Sequence, residues 1–266
     1  MSTMGDVPVT GTVSAAEIVA LSRLLADVTG RHAPAVPFAA PLLLFSRLDA
    51  ARHATLFAPR PGRVLVQEQL AIEATGRLAV DAPIEVRFRF TEPTSDAAAF
   101  RIEADLVAAG GAGLATIRTS IRPIEATSLA AATGLPMPAN PDTADGPTTR
   151  PIGPDLVARW LRLVGDDNPV HTDAAHAAAL GLSGPVLPGA LLAAAAEILA
   201  GATAALPFVR LNMRFMAPIA VGATVATRLR ERTDAVTAGR RDLRLFFLVG
   251  DRAAAVADIG CAATNT

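Results

Sequence analysis

The sequence predicts an α+β fold made of two similar halves, each a long antiparallel sheet wrapped around a central helix. Three observations point there. Residues 190–200 read as a helix that is apolar on nearly every face and ends at Gly201, and such a helix has to be enclosed by other structure. Four strand-like segments follow it, at 208–216, 224–232, 242–249 and 253–261. The same order, helix and then strands, also runs through the first 125 residues, and strands that curl around a helix make an α+β arrangement.

In the N-terminal half, Ser14-Ala15-Ala16-Glu17 matches a capping box and starts a helix to about Asp27. Val28-Thr29-Gly30 leads into a loop, and Pro41 begins an apolar helical run through Leu42, Leu43, Leu44, Phe45 and Leu48. Strands are expected at 64–74, 84–91, 100–108 and 114–122. Gly110-Gly111-Ala112-Gly113 lies between two strand patterns rather than before a helix, so it reads as a hairpin turn and not as a phosphate loop. From 126 to 150, Pro136, Pro138, Pro141, Gly146 and Pro147 stand among Thr, Asp and Ala with little periodicity, which predicts a linker.

The C-terminal half repeats the plan. Pro154 and Asp155 open a short helix with Leu156, Trp160, Leu161 and Val164 on its apolar face. A polar loop, 165–172, is followed by a second short helix from Asp173 that Gly181 stops. Pro188-Gly189 then opens the third, apolar helix. In the first strand after it, Val209, Leu211, Met213 and Phe215 alternate with Arg210, Asn212 and Arg214. Turns are expected at 234–239 and at Gly250-Asp251. Leu78-Ala79-Val80-Asp81-Ala82-Pro83-Ile84-Glu85-Val86 also parallels Ile219-Ala220-Val221-Gly222-Ala223-Thr224-Val225-Ala226-Thr227, which suggests internal duplication. The expected organisation is therefore a unit at 1–125, a linker at 126–150 and a unit at 151–266.

Composition narrows the function classes. Of 266 residues 51% are hydrophobic and 18% charged, which excludes disorder over most of the length. A net charge of −1 with no cationic run argues against nucleic acid or an anionic membrane as partner. All 24 basic residues are Arg, with no Lys and no Tyr, a bias that carries no mechanism. Cys261 stands alone, so an intramolecular disulfide and a Cys-based zinc site are excluded, and a small buried residue is the expected role. Four His without a helical two-His pair point to no metal, and no cofactor is expected. His32 and His53 have no carboxylate at motif spacing, and His176 fits a surface position on its Ala-rich helix. The N-terminus has no basic segment followed by an apolar core, and 186–200 is interrupted by Pro188-Gly189 and too short to span a bilayer. The expected location is cytoplasmic.

The chemistry concentrates in Gly165-Asp166-Asp167-Asn168-Pro169-Val170-His171-Thr172-Asp173. It sets a carboxylate and an imidazole five residues apart, with Pro169 stiffening the backbone between them. Such a pair suits acid/base work worth roughly 10²–10⁴-fold in rate. Asp-Asp-Asn-Pro is equally good turn chemistry, so the residues alone leave both readings open.

The run Gly165 to His171 resembles the signature of the MaoC-like, or (R)-specific enoyl-CoA hydratase (hydratase 2), family. Gly181-Leu182-Ser183-Gly184-Pro185-Val186-Leu187-Pro188-Gly189 and Arg214-Phe215-Met216-Ala217-Pro218-Ile219-Ala220-Val221-Gly222 are similar to segments of the same family. The resemblance covers most of 154–262 well and 14–125 loosely. It implies a hotdog fold, here doubled in one chain, and a hydro-lyase acting on a 2-enoyl or (R)-3-hydroxyacyl thioester carried by coenzyme A or acyl carrier protein. It also implies that Asp166 and His171 are the catalytic pair, that Asn168 shapes the loop and positions water, and that Gly189 offers its backbone N–H to the thioester carbonyl. A homodimer is an assembly it allows.

One position departs from the family pattern: Pro188 stands where the family usually has His. Hotdog dehydratases of fatty-acid synthesis share a Pro-Gly start to this helix but use His and Glu on separate elements. Glu197 is the candidate for that arrangement, and a structural role fits it better. The alternatives to a hydro-lyase are a non-catalytic acyl-thioester-binding or interaction subunit and a hotdog thioesterase. In the N-terminal half, Gly30 and Pro34 match the frame of Gly165 and Pro169, while Arg31, Ala33 and Val36 replace Asp166, Asn168 and His171. Neither Arg nor Val can serve as a base there. One active site per chain is expected, with the N-terminal half structural and acyl-binding.

Overall fold

A computed structural model describes residues 3–45, 63–91, 99–137, 142–201, 207–232 and 240–262. Leu48, His53, Pro138, Pro141 and the turn expected at 234–239 lie outside them. The N-terminal half comprises β1 (Thr3–Gly11), α1 (Ala15–Thr29), α2 (Leu42–Phe45), β2 (Arg63–Ala74), β3 (Ile84–Thr91), β4 (Phe100–Ala108) and β5 (Gly113–Glu125). After α3 (Ala126–Ala131), β6 (Leu135–Pro136) and β7 (Ala144–Thr148) come α4 (Pro154–Val164), α5 (Ala174–Ala179) and α6 (Gly189–Ala200). Strands β8 (Phe208–Phe215), β9 (Ala226–Arg232), β10 (Arg240–Val249) and β11 (Arg252–Ala262) complete the chain.

All the described strands belong to one antiparallel sheet whose main path runs β1-β3-β4-β5-β2-β8-β11-β10-β9-β7. Read outward from the β2–β8 seam, the two sides have the same order, with β2 matching β8, β5 matching β11, β4 matching β10, β3 matching β9 and β1 matching β7. The echo between 78–84 and 219–225 has a backbone counterpart. Asp81 and Gly222, at equivalent positions, both take positive φ, 59° and 92°. Their N–H groups donate to Val13 O (2.9 Å) and Ile152 O (2.7 Å), each just ahead of its half's first helix.

Local rules account for most elements. Ser14 and Glu17 form both arms of the capping box on α1. Pro154 sits in the first turn of α4, and Asp173 caps α5 by accepting from Ala175 and His176. Gly111 takes φ 83° in the β4–β5 hairpin, confirming that turn. Helix α6 is buried almost all round, as its composition required. Truncating Leu191, Leu192, Ile198 or Leu199 to Ala should cost about 2–5 kcal/mol each. Among the described residues no helix is long and apolar enough to cross a membrane.

The described residues of the stretch expected as a linker include regular structure. Strand β7 pairs with β9 and forms an edge of the sheet, and β6 pairs with the start of β11. Strand β1, at the opposite edge, was also outside the sequence expectation. Both β1 and β7 carry proline, Pro8 and Pro147, which edge strands tolerate because one side of their backbone has no ladder partner. Main-chain pairing, to β3 and to β9, holds both at the sheet edges.

Candidate active site

Helix α4 delivers the loop. Gly165 ends it in the left-handed conformation (φ 66°) and donates to Leu161 O, and Asp166 N–H joins the same carbonyl at 3.0 Å. Asp166 Oδ1 then accepts the N–H of Asn168 (3.0 Å), and Asn168 Oδ1 accepts the N–H of Val170 (3.2 Å). These two side chains cap the single 3-10 turn Pro169–His171 that aims the imidazole. The turn chemistry is therefore real, and among the described residues it leaves Asp166 Oδ2 and the Asn168 amide nitrogen without a hydrogen bond.

His171 is fixed from the other side. Its Nδ1 lies 2.8 Å from Val186 O, and a carbonyl can only accept. The neutral ring therefore carries its proton on Nδ1, and Nε2 presents a lone pair. Nε2 stands 3.8 Å from Asp166 Oδ2, with the two side chains 12% and 35% exposed. Two acceptors at that separation do not bond each other, but a water placed between them can donate one O–H to each.

The same backbone strip brings in Gly189. Val186 N–H donates to Val170 O (3.1 Å), and Leu187 N–H to Ile219 O (2.7 Å), so the segment holding His171 runs directly into α6. Gly189 is three residues past Val186, at most about 11 Å of extended chain. Pro188 occupies the N-cap with φ −61° and ψ 126°, and Gly189 begins the helix after it. The Gly189 N–H has no acceptor among the described residues and lies at the positive end of the helix dipole. A side chain has no room at this position. A Cβ on Gly189 would meet the Phe215 ring at 2.7 Å and Gln67 Oε1 at 3.1 Å.

The structure thus gathers Asp166, Asn168 and His171 in one loop and ties that loop to the strip leading to Gly189. Glu197 lies elsewhere. It is eight residues along α6, about 12 Å from Gly189 at 1.5 Å per residue, and it accepts the Phe38 N–H at 2.8 Å. Burial pushes its carboxyl above the ordinary range, and the Phe38 amide offsets part of that. His32 and His176 are exposed. Cys261 is buried, its thiol pushed up to about 11 mainly by burial, which makes it inert.

Sequence reasoning missed Val186 and Gln67. A backbone carbonyl leaves no mark in a sequence. Gln67 does leave one, because Val64-Leu65-Val66-Gln67-Glu68-Gln69-Leu70 breaks the alternation of its strand.

The architecture is a hotdog fold in its double form, and comparisons with known proteins agree. Residues 138–242 match the family model described as MaoC like domain. The chain is similar to the crystal structure of HtdX of Mycobacterium tuberculosis, with 20% identity and TM-score 0.67 over 96% of this chain and 99% of that one. It is similar to a solved MaoC-like dehydratase, with 16% identity and TM-score 0.71 over 97% and 98% of the two chains. A conserved hypothetical protein from Mycobacterium tuberculosis, described as having a double hotdog fold, matches with 13% identity and TM-score 0.60 over 98% and 96%. A search of curated proteins finds no match to the sequence. The chain thus has a double hotdog fold, of which residues 138–242 are similar to a MaoC like domain.

Proposed function

We propose that the protein reversibly hydrates a 2-enoyl thioester to the (R)-3-hydroxyacyl thioester, with coenzyme A or acyl carrier protein as the carrier. One observation carries the reading: Asp166 Oδ2 and His171 Nε2 are opposed acceptors 3.8 Å apart, each held by its other atom. A fold of this kind hosts several chemistries, and the loop rather than the fold favours water activation.

In the forward direction the bridging water attacks C3, and the pair takes one of its protons. The electron pair of the C2–C3 double bond moves into the thioester as an enolate. Its oxygen rests on the Gly189 N–H, a donor worth roughly 10²–10³-fold as that charge develops. The proton taken from water returns to C2, so the pair ends as it began and addition is syn. The free amide nitrogen of Asn168 is assigned to the water oxygen. The acyl chain is assigned to the N-terminal half beside α2, where nothing corresponds to α5, with one site per chain.

The test is a panel of 2-enoyl-CoA esters of rising chain length with chiral analysis of the product. The (R)-3-hydroxyacyl ester is expected. Mainly (S)-product would require another site geometry, and release of free coenzyme A without hydration would replace this reading with thioester hydrolysis.

A further inference from the structure

Strand β2 changes register against β5 between Gln67 and Gln69, leaving Glu68 as an extra residue. Without that bulge Gln67 would face the opposite side from Leu70. With it, Gln67 stands opposite Ile121 and Leu70 opposite Thr119, two positions on the same face of β5. Gln67 is thereby turned into the interior, at the seam, although it belongs to the half without the acid/base loop.

Its amide is oriented once there. Gln67 Nε2 donates to Thr119 Oγ1 at 2.9 Å, and that hydroxyl donates its own proton to Gln69 O at 3.0 Å. Thr119 is buried, and with its hydrogen committed it can only accept from Gln67. Oε1 must therefore point the other way, and there it lies 3.1 Å from where a Cβ of Gly189 would be. Among the described residues Oε1 accepts no hydrogen bond. An acceptor beside the Gly189 N–H cannot stabilise an enolate oxygen, but it is placed to take a donor on the substrate.

We infer that Gln67 Oε1 accepts the first amide N–H of the thioester's carrier arm, so that the N-terminal half positions the arm while the C-terminal half does the chemistry. This rests on the hydratase reading. In coenzyme A and in the phosphopantetheine of acyl carrier protein that N–H stands two methylenes from the thioester sulfur. A Cβ lies about 2.5 Å from its own nitrogen, so Oε1 is within about 6 Å of the Gly189 N–H. That spacing matches a carbonyl on Gly189 and an amide on Gln67. Because both carriers share this group, the contact would recognise either.

The experiment compares crotonyl thioesters of N-acetylcysteamine and N-methyl-N-acetylcysteamine, which differ in that one N–H. The wild type should lose roughly fivefold to tenfold in kcat/KM on N-methylation, the effect of one unmade hydrogen bond. Gln67→Met should lower kcat/KM for the N–H thioester by a similar factor and leave the methylated one nearly unchanged. Gln67→Glu keeps an acceptor in place and should retain the discrimination, which supplies the test if the Met variant fails to fold. A wild type that does not discriminate, or a Met variant equally impaired on both thioesters, overturns the assignment while leaving the hydratase reading intact. A wild type that hydrates neither thioester nor any 2-enoyl-CoA of the panel overturns the hydratase reading itself.

Discussion

After α1 the chain turns through Gly30, and after α4 it turns through Gly165. Both glycines are left-handed, at φ 67° and 66°, and each donates its N–H to the carbonyl four residues back. Beyond that shared turn the halves diverge. In the C-terminal half Asp166 and Asn168 each accept a backbone N–H, a 3-10 turn follows, and His171 reaches Val186 O. In the N-terminal half Arg31 and Val36 are exposed, and the segment up to Pro41 packs toward the other half through Phe38, whose ring meets Phe208 edge-on at 5.7 Å. The duplication kept a fold-level turn in both halves, where geometry demanded it. Only the C-terminal half follows that turn with a histidine seated on a backbone carbonyl, Val186 O.

The sharpest way to break this comparison is to separate the halves. Residues 151–266 alone lose β7, and β8 loses the β2 ladder from Gln69↔Arg214 to Glu73↔Arg210. Expression of that fragment should give insoluble protein with no hydration activity, since the exposed edge and apolar surface invite aggregation. A soluble, fully active fragment would refute the division of labour.

Next come changes within the two loops. Asp166→Asn and His171→Ala should each lower kcat by about two orders of magnitude or more with a normal circular-dichroism spectrum. The double variant should be little worse than either single, because in the proposed mechanism both groups act on one water. The matching changes Arg31→Ala and Val36→Ala should leave kcat within about twofold. Near-normal turnover in His171→Ala would remove the pair from the mechanism.

The shared turn separates stability from activity. Gly30→Ala and Gly165→Ala place a Cβ at positive φ and should each cost about 1 kcal/mol or somewhat more, roughly 2–4 °C in Tm. Gly30→Ala also has to displace the Arg150 side chain, whose Nε would lie 3.1 Å from the new Cβ. Only Gly165→Ala should also reduce kcat, because Asp166 follows it directly. Equal kcat in the two variants would mean that the loop does not depend on its turn.

The smallest effect is expected at Glu197, which links the halves. Burial raises its folded-state pKa, so its favourable contribution is complete below the unfolded carboxylate range and is lost as pH rises through the raised value. Gln at this position still accepts the Phe38 N–H without carrying a buried charge. The Tm of Glu197→Gln relative to wild type should therefore become more favourable between pH 4 and pH 8, by a few degrees at most (about 2–4 °C per kcal/mol). Its kcat should stay near wild type, whereas a large loss would restore Glu197 as a candidate acid.

Local signals in the sequence carried a large part of this protein. The capping box at Ser14, the prolines and glycines that bound α4, α5 and α6, and the period-2 strands were readable because their information lies within a few neighbouring residues. The loop Gly165–His171 was readable for the same reason, since its spacing and its proline are local. Tertiary structure alone decided the edge strands β1 and β7, which are short of apolar residues, carry a proline each and are held by main-chain pairing to β3 and β9. It alone decided that His171 takes its tautomer from Val186 O, that Glu197 accepts an N–H from Phe38 across the two halves, and that a bulge turns Gln67 toward Gly189. Each of these joins groups far apart in the chain through a backbone atom or a register shift, and neither is encoded by the identity of the residues that meet.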